Sequence, residues 1–157
     1  MAEETFLDNL VIRHASKKDA PVMMDLIREL AHFEKSPDEV TVSEEKFIES
    51  GFGAQPIWWA YVAEVDHQVV GFALYYLRYS TWKGPRMYLE DILVTEKWRN
   101  KGIGRLLFEQ LIITAKEKNL NGIVWQVLNW NEDAIRFYRR YKGVKFDHEW
   151  VNCSIEF

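Results

Sequence analysis

The sequence predicts an α/β (α+β) fold: a mixed, mostly antiparallel sheet of about seven strands with helices on both faces. Three observations lead there. Apolar residues alternate between β-branched, aromatic runs and stretches at helical spacing, in the order β-α-α-β-β-β-α-β-α-β-β. Two of the runs, Ile57 to Val65 and Gln68 to Tyr79, are parted only by Asp66-His67, which signals a hairpin. A further run, Met87 to Val94, leads through a helix into Gly122 to Leu128, a β-α-β unit that makes the sheet mixed.

The elements follow in order. Leu7 to Arg13, with Leu10, Val11 and Ile12, is the first strand. Ser16 to Asp19 resembles a capping box with Asp in the Glu position. Ala20, Met23, Met24, Ile27, Leu30 and Ala31 then carry a helix from Asp19 to Glu34, stopped by Ser36-Pro37-Asp38. Thr41 to Ser50 is a short helix broken by Gly51 and Gly53, within a polar lid or loop region from Lys35 to Pro56. Gly102 to Lys118 is a helix with Ile103, Leu106, Leu107, Leu111, Ile112 and Ala115 on one face and lysines in its last turn. Asn131 caps a final helix running to Tyr141, and Val144 to Phe157 adds one or two strands.

All 157 residues suit one domain with a core large enough to stand without metals or disulfides. Hydrophobic residues make up 48% and charged residues 28%, as in a soluble globular protein. The aromatic share is 15%, most of it destined for the core, with any surplus suited to lining a cleft. A net charge of −4 carries no footprint for nucleic acid but is compatible with a small cationic substrate. The single cysteine, Cys153, forbids an internal disulfide and reads as a strand residue. His14, His32, His67 and His148 lack ligand spacing, so no metal is expected. Met1 to Phe6 is acidic, unlike a signal peptide, and no apolar run reaches the ~20 residues that span a bilayer, so neither a membrane nor export is expected and a cytoplasmic location is.

The chemistry concentrates after the strand Leu89 to Val94, in Trp98-Arg99-Asn100-Lys101-Gly102-Ile103-Gly104-Arg105. A basic, glycine-rich turn opening a helix is an anion site: glycine lets backbone amides approach closely, and the helix terminus adds its positive dipole. Arg99, Lys101 and Arg105 supply charge where a diphosphate needs it. The alternative is a tight turn with solvated cations. A dinucleotide fingerprint fails because Leu107 stands where glycine is needed, and no Gly-Lys-Ser/Thr makes a P-loop.

Arg99-x-x-Gly102-x-Gly104 and Asn131-x-x-Ala134-x-x-Phe137-Tyr138 resemble the two signatures of the GNAT N-acetyltransferase superfamily. A closer similarity, to the diamine (spermidine/spermine) branch, shows in Leu26 to Glu34, Gly51-Phe52-Gly53, Val70 to Tyr76, Tyr88-Leu89-Glu90-Asp91 and Trp130-Asn131-Glu132, nearly the whole chain. The resemblance implies a GNAT fold, acetyl-CoA as donor, direct transfer in a ternary complex, a small-molecule amine as acceptor and a homodimer. It implies a cofactor cleft of Ile92, Leu93 and Val94 facing a second strand that ends at Gln126-Val127. The diphosphate would lie on Asn100 to Arg105, with Asn131, Glu132, Asp133, Ala134 and Phe137 completing the cofactor set.

Tyr138 reads from the residues alone as a core aromatic beside Phe137 or as an acid; the resemblance makes it the donor of a proton to the leaving thiolate. Glu90 and Asp91, adjacent on a strand, face opposite sides of the sheet and so cannot form a carboxylate dyad on one face; one faces the cleft while the other is structural or reaches the acceptor by a local bulge. The resemblance makes Glu90 the base, acting through water. An amine of pKa ~10.4 costs about 4–5 kcal/mol to deprotonate at pH 7, so a base is needed. The resemblance implies an acceptor set of Phe33, Glu34, Glu90, Asp91, Val124, Trp125, Gln126 and Glu149; from the residues alone Glu34 and Glu149 read as solvated surface carboxylates and the aromatics as core. Two rivals remain: the same chemistry on an aminoglycoside or a protein N-terminus, or an acyl-CoA sensor without turnover.

Overall fold

A computed structural model describes residues 7–157; Met1 to Phe6, on which the reading of the N-terminus rests, lie outside the described residues. The described residues form two compact units, the first ending at Gln126 and the second Val127–Phe157.

The first unit holds a five-stranded sheet in the order β1 (Leu10–His14), β2 (Trp59–Val65), β3 (Gln68–Ser80), β4 (Gly84–Val94), β5 (Ile123–Trp125). Pairing is antiparallel up to β4 and parallel between β4 and β5. The expected mixed, mostly antiparallel sheet is therefore present. Alternation assigns its faces. Ala60, Val62, Phe72, Leu74 and Leu93 pack with Met23, Met24 and Leu26 of α1 (Ala20–Phe33) and Phe47 of α2 (Glu44–Phe52). Residues between them point the other way: Tyr61 bonds Thr114 of α3 (Ile103–Glu117) at 2.7 Å within the core.

Local signals explain the ends. The amide of Ser16 donates to Asp19 Oδ2 (2.7 Å), the expected half of the capping box, and Arg13 clamps Asp19 and Glu64 so that β1, β2 and the start of α1 are tied together. α2 begins later than expected because Ser43 caps it, accepting from Lys46 N at 3.1 Å. Gly51 has no side chain because the Trp58 ring fills the space a Cβ would take; Trp58 lies stacked on Phe47 and edge-on to Phe52.

Two expectations need correction. β5 ends at Trp125, not Leu128, because its last pair with β4 is Leu89↔Trp125 and the next residue of β4 is an irregularity. The stretch from Val144 to Phe157 forms no strand, so the described residues hold five strands where about seven were expected. Apolar content does not make a strand without a ladder partner. Here Trp150, Val151, Ile155 and Phe157 are exposed, as is Cys153.

The second unit carries α4 (Glu132–Arg139), capped as predicted by Asn131, whose side chain accepts from Ala134 N at 3.2 Å.

Candidate active site

The β3–β4 ladder pairs Tyr75 with Leu89 but Leu74 with Asp91, so Glu90 is an extra residue in β4. Such a bulge turns the following residue to the face of the one before it. Regular alternation from Leu89 already places Glu90 on the α1 side. The bulge brings Asp91 to that side as well, opposite Leu74. The two carboxylates therefore share a face, which corrects the expectation from alternation that they point to opposite sides and cannot pair on one face.

The neighbours on this face are Tyr76, whose hydroxyl donates to Glu90 Oε2 at 3.1 Å, and Tyr88, stacked on Tyr76 with ring centres 5.0 Å apart. Glu34 caps the C-terminus of α1 and is close enough for its charge to act on Asp91. Burial, then the negative charges of Glu90 and Glu34, push the Asp91 carboxyl up to about 7. Burial also raises Glu34, and burial together with Glu90 holds Tyr76 and Tyr88 above the usual phenol range, so both remain donors. Three carboxylates crowded in this way favour a bound cation, which relieves their repulsion.

Past Leu89↔Trp125 no described strand pairs with β4 on its outer side, so backbone groups from Glu90 to Val94 line an open edge. The Leu93 and Val94 side chains are core; Ile92 is partly exposed. The chain then enters the basic turn. Asn100 (φ 60°) and Gly102 (φ 81°) adopt left-handed backbone, which asparagine and glycine tolerate best. A Cβ on Gly102 would touch nothing within 4 Å, so the space over the turn is open. The first amides of α3 have no intrahelical acceptors, and Lys101 and Arg105 are exposed beside them. The Ile103 side chain is in the core, leaving only its amide for a ligand.

Arg99 is placed differently from its neighbours. Its Nε donates to Val94 O (2.8 Å), its Nη2 reaches Glu29 (3.5 Å), and the guanidinium lies 5.6 Å from the Phe33 ring centre. Glu29 also accepts from the Thr95 hydroxyl (2.8 Å) and the Glu96 amide (3.1 Å). Arg99 thus ties the turn to α1.

The other expected acceptor residues separate. Val124 pairs with Tyr88 on the carboxylate face, whereas Trp125 pairs with Leu89 and packs edge-on to Phe108 of α3, on the opposite face. Gln126 is exposed at the end of the first unit. In the second unit Tyr138 is buried with Phe137 edge-on (5.3 Å), Glu132 and Asp133 are exposed in the first turn of α4, and Glu149 is exposed, its amide donating to Asp147 (2.9 Å). Sequence reasoning missed Glu29, Tyr76 and Tyr88. The hairpin itself could have found the tyrosines, because Tyr-x-Arg and Arg-x-Tyr flank its turn symmetrically. Among the described residues no His, Cys, Asp or Glu group could hold a metal, and no helix is long and apolar enough to cross a membrane.

A parallel β4–α3–β5 unit with an anion-ready turn, beside a sheet face of carboxylates, is the arrangement expected of a transferase that takes an anionic donor and a cationic acceptor. The model of the Acetyltransferase (GNAT) family matches residues 23–143, and the chain belongs to that family. It is 40% identical over 138 residues to the thialysine N-epsilon-acetyltransferase of Bos taurus, covering 83% of this chain and 81% of that protein. It is 34% identical over 142 residues to the human spermidine/spermine N(1)-acetyltransferase-like protein 1, covering 86% of this chain and 20% of that longer one. The crystal structure of an aminoglycoside acetyltransferase, meta-AAC0020, from an uncultured soil sample superimposes with a TM-score of 0.78 at 21% identity, over 95% of this chain and 98% of the other, a likeness of fold. The chain is an N-acetyltransferase, transferring an acetyl group to an amine.

Proposed function

We propose that the protein takes the acetyl group from acetyl-CoA and passes it directly, within a ternary complex, to the primary amine of a small cationic acceptor: a diamine, a polyamine or a thialysine-like amino acid. The observation that carries this reading is the gathering of Glu90 and Asp91 on one sheet face, with Glu34 at the end of α1 near enough for its charge to act on Asp91. The relatives named for thialysine and for spermidine/spermine point the same way.

The turn fits the donor. Asn100 to Arg105 offers open space over Gly102, the amides that begin α3 and two exposed cations for a diphosphate. The donor supplies an activated thioester. The chain's own residues do the rest: Glu90, held by Tyr76, takes the ammonium proton through water; Glu34 and Asp91 hold the acceptor's charge; Tyr138 gives a proton to the departing sulfur. This reading takes residues 1–157 as one catalytic domain acting in the cytoplasm as a homodimer. The exposed Trp150, Val151 and Ile155 support a partner surface.

The test is a panel of amines with acetyl-CoA, following free thiol. Thiol release confined to cationic aliphatic amines supports the reading. Release only with aminoglycosides or peptides would move it to another acceptor, and binding without any release would leave a sensor.

A further inference from the structure

Arg78 and Arg86 are directly opposed across the β3–β4 ladder, on the same face as Glu90 and Asp91. Like charges in that relation disfavour the pairing of their strands. Among the described residues neither guanidinium has a carboxylate at ion-pair distance. Arg78 instead lies over the Tyr88 ring, 5.6 Å from its centre. Arg86 rests against the backbone at Gly122, where a Cβ would collide with its guanidinium, and its buried Nε has no hydrogen-bond partner. Two uncompensated cations, one with an orphaned donor, form a site that lacks its anion.

The position of this pair says which anion. Arg78 leans over Tyr88, two residues from Glu90, or about 7 Å along the strand. One face thus runs from carboxylates through two stacked tyrosines to two guanidiniums. A diamine or polyamine stretched along the face brings its far ammonium towards like charge, so it gains from the carboxylates only by turning that ammonium back to Glu34. An α-amino acid with a side-chain amine adds a carboxylate beside that far ammonium, which the guanidiniums would meet as opposite charge, over a span on the scale of a lysine-type side chain.

We propose that Arg78, supported by Arg86, binds the α-carboxylate of an amino-acid acceptor whose side-chain amine is acetylated. This rests on the reading of the carboxylate face as the acceptor site and chooses within it. Planar guanidiniums suit a carboxylate because they donate two parallel hydrogen bonds.

The experiment compares kcat/KM for L-lysine and thialysine with that for cadaverine, which keeps both amines and lacks only the carboxylate, in the wild type, Arg78→Ala and Arg78→Lys. Arg78 is exposed, and circular dichroism checks each fold. The proposal expects the amino-acid to diamine ratio to fall roughly tenfold or more in Arg78→Ala and to recover in part in Arg78→Lys. A ratio within about twofold of wild type in folded Arg78→Ala overturns it. Calorimetric titration with lysine and cadaverine, without donor, separates the two claims. If the wild type acetylates neither amine, the acceptor reading fails. The carboxylate site then stands or falls on whether lysine binding, but not cadaverine binding, weakens in Arg78→Ala.

Discussion

Glu90 and Asp91, neighbours on one strand, face the same side of the sheet. The bulge that pairs Leu74 with Asp91 and Tyr75 with Leu89 sets them there. A strand without the bulge would send Asp91 toward α3 and leave Glu90 alone beside Tyr76. The acceptor chemistry therefore depends on one extra residue in β4.

Asp91 makes the first prediction. Its carboxyl is raised from the ordinary aspartate range to about 7, chiefly by burial. The folded state binds this proton more tightly than the unfolded chain does. The stabilising contribution is thus complete below about pH 4 and is lost as pH rises through about 7. Asp91→Asn, which cannot ionise, should raise Tm by a few degrees at pH 8.5 and by less at pH 5. Thermal melts at the two pH values check this; equal shifts would mean that Asp91 ionises freely in the fold.

Glu90 and Tyr76 make the second. Glu90→Gln should lower kcat by about 10²–10⁴-fold, the range of a positioned base. Tyr76→Phe, which removes only the 3.1 Å hydrogen bond to Glu90, should cost far less, roughly threefold to tenfold. Steady-state kinetics on one good acceptor rank the pair. A Tyr76→Phe loss as large as that of Glu90→Gln would make the tyrosine, not the carboxylate, the acting group.

The third concerns the donor turn. Gly104→Val should abolish acetyl-CoA binding, because a β-branched side chain blocks close approach to the amides that begin α3. Calorimetry on the folded variant decides it, and unchanged affinity would remove the diphosphate from this turn.

The fourth concerns Tyr138. Coenzyme A is a fair leaving group, with a thiol pKa near ~8.5, so protonation helps without being indispensable. Tyr138→Phe should lower kcat by roughly 10²-fold with little change in acetyl-CoA affinity. A kcat near wild type would leave Tyr138 as a buried neighbour of Phe137.

Much of this was legible in the chain. The hairpin at Asp66-His67, the glycine turn before α3 and the Asn131 cap are written in local residues, whose backbone demands leave few alternatives. The bulge was not, because register is a property of two strands and nothing in Leu89-Glu90-Asp91 alone declares the extra residue. Partnership likewise decided Arg99, whose charge looked free for phosphate until Glu29, 70 positions away, came beside it. Gly51 reads in the sequence as a helix breaker, whereas in the fold it also admits the Trp58 ring. Of the aromatics near the motifs, Trp59 stacks on Tyr75 on the α3 side, away from the carboxylates, while Trp82 stands exposed at the hairpin tip. The tail was misread because strands need partners that composition does not supply.

The central claim is that the carboxylate face selects acceptors by charge, and matched amines test it most directly. Steady-state kcat/KM is measured for cadaverine and for pentylamine, equal in chain length and differing by one ammonium, in the wild type and in Glu34→Gln. The account predicts that the wild type prefers the diamine by roughly tenfold or more and that Glu34→Gln raises KM for the diamine more than for the monoamine. Equal kcat/KM for the two amines in the wild type would contradict it, leaving an acetyltransferase that does not read the second charge of its acceptor.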